Sequence, residues 1–575
     1  MQYCWENEGI KAAGRELEGG QAIKVRYNLL LGVLMCVVWS AARPGIVDTA
    51  LSFAFLILVP SLLYLVATDR PRSVFRKNLH AAAAYSFPFA LAGAISLVHE
   101  PGLTAAAAAF IWLIFTLWVA GNGIMRLLNR GIAQPDEALI DVGLTFLAVG
   151  GVWLVLARAG AAELMPYSAL TVDLTAVHYH YSAFVLPLFA GLFGRWLLTS
   201  GADRHAGRRG RFTVLAVGIA GGSPLVALGI SQGQPLERIT VALYIVFIYW
   251  LCLWVIVNCR RIGGAAGTFA AAASITLMMT MGYSFLFSLG LFINTAFIPV
   301  DGMLRWHGAL NAFGFSVFGT LAWFFAKPEP GFDEKGFPIS RLRMKDLVRQ
   351  ETVQKIRLDK AVKAPGLLHN WNDLESRVFE AERTDRKIRE FYTSTVDYSL
   401  YARIKWNKEW MRHAVRFLQG EKRQFSLPHS GVFTIKGSIC DVNDSEDGRK
   451  NVRGLALWDE DSGYPLSAPL FYSTHETAGI AYMNIANPFR CGVITRVLRP
   501  GNSRAGALIL TGRRRQHGSG DEGLYFTLGK MTVKLPVEEE IKVDRCGSGL
   551  RALHEMTLFG ISFLKISYSI TRRSD

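Results

Sequence analysis

Two short stretches of this 575-residue chain set imidazoles among apolar residues. The first reads Asp173-Leu-Thr175-Ala-Val-His178-Tyr-His180-Tyr-Ser-Ala-Phe-Val-Leu-Pro187, and the second Met303-Leu-Arg305-Trp-His307-Gly-Ala-Leu-Asn311-Ala-Phe-Gly. Imidazole changes charge near neutral pH and offers one donor and one acceptor when neutral, so it suits proton coupling, polar substrate contacts or metal ligation. Three roles are open: metal binding, anchoring of helix ends at a membrane interface, and a substrate or proton pathway. The simplest metal site meets a geometric obstacle, because His178 and His180 are two residues apart, about 200° around a helix, and cannot chelate one ion unless the segment is extended. No metal or other cofactor is assigned. His307 and Asn311, four apart, share a helical face, and Gly308 and Ala312 permit close approach of a neighbouring helix. Pro187 takes away the N–H that the carbonyl of Ala183 would accept, so the span is expected to be kinked near its middle. The pathway reading takes Asp173, His178, His180, Pro187, His307 and Asn311 as its candidates, with His99, Glu100, Glu237 and Asp301 on the same side. An ionisable group within a membrane span costs roughly 2.5–3.5 kcal/mol, so those that persist face protein or water.

The elements that carry these residues are membrane spans. A helix crossing the hydrocarbon core needs about 20 mostly apolar residues. Ten stretches qualify: 28–42, 46–67, 79–98, 103–125, 138–157, 174–198, 212–231, 238–258, 266–293 and 303–326, the first of them short. Basic residues of short loops favour the cytoplasm. One set of alternate loops holds Lys11, Arg15, Lys24 and Arg26, then Arg70, Arg72, Arg76 and Lys77, Arg126 and Arg130, Arg204, Arg208, Arg209 and Arg211, and Arg260 and Arg261. The other holds Arg43, Arg158, Arg238 and Arg305. Both termini are therefore expected in the cytoplasm of a bacterial inner membrane, with the histidine-bearing ends of spans six and ten outside. Asp136, Glu137 and Asp141 are expected as a solvated helix start, and Arg195 as a snorkelling side chain.

Lys327-Pro-Glu-Pro-Gly ends the last span and opens a linker. The domains are then 1–27, a cytoplasmic segment; 28–326, the membrane domain; 327–345, the linker; and 346–575, a soluble α+β domain. From about 340 to 420 the pattern is helical, with Trp406 and Trp410 on one face. From about 431 short runs of period two predict strands, at Val432–Ile439, Leu455–Trp458, Ala478–Asn484, Val493–Leu498, Ala507–Leu510, Leu524–Leu528, Met531–Leu535 and Phe559–Ile570, curled into an antiparallel barrel or clamp. His475-Glu476 and His554-Glu555 are not sites by themselves, since neighbours on a strand face opposite ways.

A net charge of +16 has its membrane-half share in short loops, and the tail alternates Lys and Arg with acids. This is a topological and leaflet-facing pattern, and no nucleic-acid partner is expected. Seven widely spaced cysteines without a C-x-x-C pair give neither a disulfide framework nor a zinc ribbon. No phosphate-binding loop is present, which argues against ATP-driven transport within the chain.

The two histidine stretches resemble the YndJ-like bacterial membrane proteins, and the tail, with Phe391-Tyr392, Trp406 and His554-x-Met556-x-Leu-Phe-Gly, looks like the soluble extension of some members. The resemblance implies a multi-span protein classed with transporters and singles out His178, His180, Pro187, His307 and Asn311. The leading expectation is a transporter or permease for a small or lipophilic solute, with the bilayer and a hydrophobic small molecule as partners. The alternatives are a membrane enzyme acting on a lipid or isoprenoid-like substrate, and a tethered lipid-binding or sensing tail.

Overall fold

The structure, a computed structural model, describes residues 23–41, 45–67, 74–132, 134–199, 206–233, 235–292, 298–330, 336–343, 364–408, 430–461, 463, 469–488, 492–503, 505–513, 520–529 and 531–573. They fall into two compact units, divided near residue 333.

In the first unit nine of the described helices are long and apolar enough to cross a membrane, or ten when a pair bent by 51° is counted as one span. These are α1 (Ile23–Ala41), α2 (Ile46–Val66), the pair α3 (Val74–Tyr85) and α4 (Phe87–Ser96), α5 (Leu103–Arg130), α6 (Pro135–Arg158), α7 (Ala169–Thr199), α8 (Ala206–Gln232), α9 (Leu236–Ile262), α10 (Gly264–Phe292) and α11 (Val300–Ala326). The expected short first span is a full helix of 19 residues. Lipid makes an apolar exterior free of cost, and α5 illustrates it: Phe110, Ile111, Ile114, Leu117 and Trp118 are exposed, while Ala105, Ala109, Trp112, Phe115 and Val119 are buried.

Two prolines set local geometry. A proline cannot donate to the carbonyl four residues back, and a turn widened to i→i+5 bonding accommodates the loss. Such a turn covers Ala54–Leu58 before Pro60, and a second covers Tyr181–Val185 before Pro187, where the Leu186 N–H donates to the carbonyl of Tyr181. Where a kink is expected at Pro187, the structure has a π turn inside one span. A longer π stretch, Met303–Phe315, carries His307 and Asn311 on α11.

The second unit is a closed antiparallel barrel of ten strands. Its strands are β1 (Tyr398–Trp406), β2 (Gly431–Val442), β3 (Val452–Asp459), β4 (Leu470–Thr477), β5 (Ile480–Pro488), β6 (Val493–Asn502), β7 (Leu508–Thr511), β10 (Val537–Cys546), β11 (Gly549–Leu558) and β12 (Ile561–Arg572), with β8 (Gly523–Leu528) and β9 (Met531–Leu535) as an attached hairpin. The order β5-β4-β3-β2-β1-β12-β11-β10-β7-β6 closes through a β5–β6 pairing, and β8 pairs with the first half of β6. Closure leaves the ring no open edge. The segment before β1, including α12 (Arg386–Thr393), packs Leu367, Trp371, Leu374, Phe391 and Tyr392 into the same core as the inward Ile439, Leu455, Met483, Leu498 and Val543. Here the helical expectation for residues 340 to 420 holds at Arg386–Thr393 and is corrected at the next element. Tyr398–Trp406 is a strand whose Tyr398, Ala402, Ile404 and Trp406 are buried, and Trp406 pairs with Leu564, 158 residues further on. That long-range ladder outweighs the local periodicity. Trp410 lies outside the described residues.

Candidate membrane pocket

A cavity of about 330 Å³ opens between α7, α8, α9, α10 and α11. His178 and His307 both line it, together with Asn311, Ser182, Ser223 and Tyr244. The lining comes mainly from the same half of each span, the N-terminal halves of α7, α9 and α11 and the C-terminal halves of α6, α8 and α10, and reaches the middle at Leu186, Leu277 and Phe315. Beyond the pocket the opposite half is closed by aromatic packing. Phe315, on the pocket wall, lies 5.2 Å from Phe189, which meets Trp323 at 5.4 Å, and Trp323 meets Phe193 at 6.4 Å.

The histidines are held by the backbone. His178 Nδ1 is 2.6 Å from the carbonyl of Leu174, one turn earlier, and His307 Nδ1 is 3.0 Å from the carbonyl of Thr280 on α10. A carbonyl only accepts, so each neutral ring carries its proton on Nδ1 and has its lone pair on Nε2. The Thr280 hydroxyl lies 2.7 Å from the Asn311 side-chain amide and 2.9 Å from the Leu277 carbonyl, and the same amide lies 3.5 Å from His307 Nδ1. Deeper in, Ser182, Ser223 and Tyr244 form a triangle of hydroxyls with edges of 2.8, 3.1 and 3.2 Å. Ser182 sits in the π turn before Pro187. Ser223 and Tyr244 escape a sequence reading because a hydroxyl among apolar helix residues carries no signal of its own, and only packing joins them.

The other candidates are placed elsewhere. His180 is fully buried on the far side of α7, where Nδ1 donates to the Ala176 carbonyl at 2.8 Å and Nε2 accepts from Trp112 Nε1 at 3.0 Å. The ring is saturated and packs against Phe55, while Gly150 of α6 leaves room for it: a Cβ there would stand 2.8 Å from Nδ1. Sharing His180 with the pocket is therefore corrected by the same 200° argument that separated the two imidazoles. Asp173 is half-buried outside the lining, and Pro187 packs beside Gly143 of α6. His99, Glu100, Glu237 and Asp301 do not line the pocket; the His99 carbonyl instead accepts from Arg158, whose Nε also donates to the Ser96 carbonyl at 3.0 Å. Among the described residues, no group of three or more His, Cys, Asp or Glu side chains is placed to hold a metal ion.

A second correction concerns the charges expected in solvent. Glu137 is buried between two arginines, accepting from Arg195 Nε at 2.6 Å and from Arg126 Nη2 at 2.9 Å, and Arg126 Nε donates to Asp141 at 2.7 Å. Arg195 Nη2 also donates to the Val66 carbonyl at 3.2 Å. The network ties α5, α6, α7 and the end of α2 together, and it satisfies charges that the bilayer would otherwise penalise. Arg195 does not snorkel; its side chain is fully buried.

The family model for YndJ-like protein matches residues 49–315, from α2 into α11. A curated relative, "Uncharacterized membrane protein YndJ" of Bacillus subtilis (strain 168), is 30% identical over 535 residues, which cover 91% of this chain and 94% of the relative. No solved structure matches the chain. The match runs through the membrane unit and most of the barrel together, and on that extent the chain belongs to the YndJ-like family of multi-pass membrane proteins.

Proposed function

We propose that the protein is a permease for a small lipophilic solute bearing an O–H or N–H group, and that the pocket between α7 and α11 is its binding chamber. The observation that carries this reading is the pair of histidines: His178 and His307 each spend Nδ1 on a backbone carbonyl, which leaves Nε2 of the neutral ring as the acceptor, and both residues line one apolar-walled cavity. Such a cavity, mostly apolar with a few polar groups, is what a solute site requires. Its position mainly in one half of the spans, with Phe189, Phe193, Phe315 and Trp323 packed across the other, supports a chamber that opens to one side at a time.

The loop charges support a bacterial inner-membrane orientation with both termini in the cytoplasm, so that the chamber faces outward. Vesicles from cells with and without the protein are to be incubated with a small-molecule extract of the same cells and their contents compared by mass spectrometry. A solute accumulated or depleted only with the intact protein, and no longer with His178→Ala/His307→Ala, supports the reading. Identical contents across all three vesicle types argue against it.

A further inference from the structure

We infer that the barrel interior is a second binding site, for a small neutral amphiphile whose head is a carbonyl-type acceptor (a ketone, amide, ester or lactone) on an apolar body of about eight carbons. The inference does not rest on the transport reading.

Inside the barrel is a cavity of about 170 Å³. Most of its wall is aliphatic, but one patch is polar: Arg496, His554, Tyr472, Tyr568 and Tyr392 all line it. Glu539 stands behind them, with Oε1 3.3 Å from Arg496 Nη1 and 2.8 Å from His554 Nε2. The exposures separate the partners. The Glu539 side chain is sealed at 2%, whereas that of Arg496 keeps 17% although it points into the barrel, so the open part of the guanidinium faces the cavity.

Arg496 and Glu539 cancel, so the buried patch has no spare fixed charge with which to balance an ionised head, and Arg573, which also lines the cavity, is exposed to solvent. What it presents is hydrogen-bond donors: guanidinium N–H groups and phenols. Burial pushes the hydroxyls of Tyr392, Tyr472 and Tyr568 up, which keeps all three as O–H donors. Donors that line an otherwise aliphatic cavity favour a ligand that brings an acceptor oxygen to them. The size follows from the volume, since a cavity of about 150 Å³ takes benzene and this one is slightly larger. Its aliphatic wall stabilises each buried methylene by about 0.8 kcal/mol.

Octan-2-one labelled with ¹³C at the carbonyl is a direct probe, applied to the full chain in detergent-free peptidiscs and read by isotope-edited infrared spectroscopy. One saturable equivalent per chain is expected, with its carbonyl band shifted to lower frequency than in empty peptidiscs. Octanoate and octylamine should compete at least about tenfold more weakly. Because Arg496→Met alone strands a buried carboxylate, the double variant Arg496→Met/Glu539→Met is the informative one, replacing the pair by apolar groups of similar size. It should abolish the shifted band, as should the cavity-filling Leu510→Trp, while the outward-facing Leu553→Ala leaves it unchanged. An unshifted band, a shifted band that survives the double variant, or tighter binding of octanoate would each overturn the inference.

Discussion

His307 Nδ1 lies 3.0 Å from the backbone carbonyl of Thr280, and this one contact decides which face of the ring a solute meets. The carbonyl cannot donate, so the neutral ring holds its proton on Nδ1 and exposes Nε2 as the acceptor. The same logic applies to His178 through Leu174 and to His180 through Ala176. Solid-state NMR of ¹⁵N-histidine protein should therefore show all three neutral rings as the Nδ1–H tautomer. An Nε2–H tautomer at position 178 or 307 would remove the acceptor on which the chamber depends.

His180 and His307 should behave differently when replaced. His180→Ala deletes an acceptor for a buried Trp112 N–H and leaves a hole against Phe55, so a loss of roughly 2–4 kcal/mol is expected, read as a fall in thermal stability in detergent. His307→Ala, on a pocket wall, should fall much less. Equal losses would mean that both rings are structural.

Breaking the buried charge network should be the most damaging change in the membrane unit. Glu137→Gln leaves two buried guanidiniums with weakened compensation, and a cost on the order of 3–5 kcal/mol is expected, seen as poor yield and early unfolding. A stable, well-expressed Glu137→Gln protein would show that these charges are solvated after all.

The membrane half was largely legible because length and apolarity of a span are local quantities. The separation of His178 from His180 was legible for the same reason, being a matter of helical angle. What escaped was non-local. Asp136, Glu137 and Asp141 look like a solvated helix start until Arg126 and Arg195 arrive from other helices. Trp406 looks helical until β12 pairs with it. Strands β1 and β10 were not expected, and β10 shows why: Val537-Glu-Glu-Glu-Ile-Lys-Val alternates correctly, but Glu539 occupies an inward position that only Arg496 and His554 make tolerable.

Glu539 also sets a pH dependence. Burial alone would raise its carboxyl, but Arg496 and His554 more than reverse this and hold it down at about 2, against an ordinary 4.5. A depressed pKa contributes stability that is complete above the unfolded value and is lost as pH falls from about 4.5 toward 2. The barrel should therefore lose roughly 3 kcal/mol over that window, and Arg496→Met/Glu539→Met should flatten it. Tyrosine-weighted near-ultraviolet circular dichroism against pH measures both. A double variant with the same acid sensitivity as the parent would place the effect elsewhere.

Thr175 lines the membrane pocket one turn from His178, and a cysteine there tests the chamber most directly. Intact cells carrying Thr175→Cys are to be treated with a membrane-impermeant maleimide, and their vesicles then tested for the solute difference described above. Labelling from outside together with loss of that difference is the expected result. Full labelling with the solute difference untouched would contradict the chamber as the solute's route.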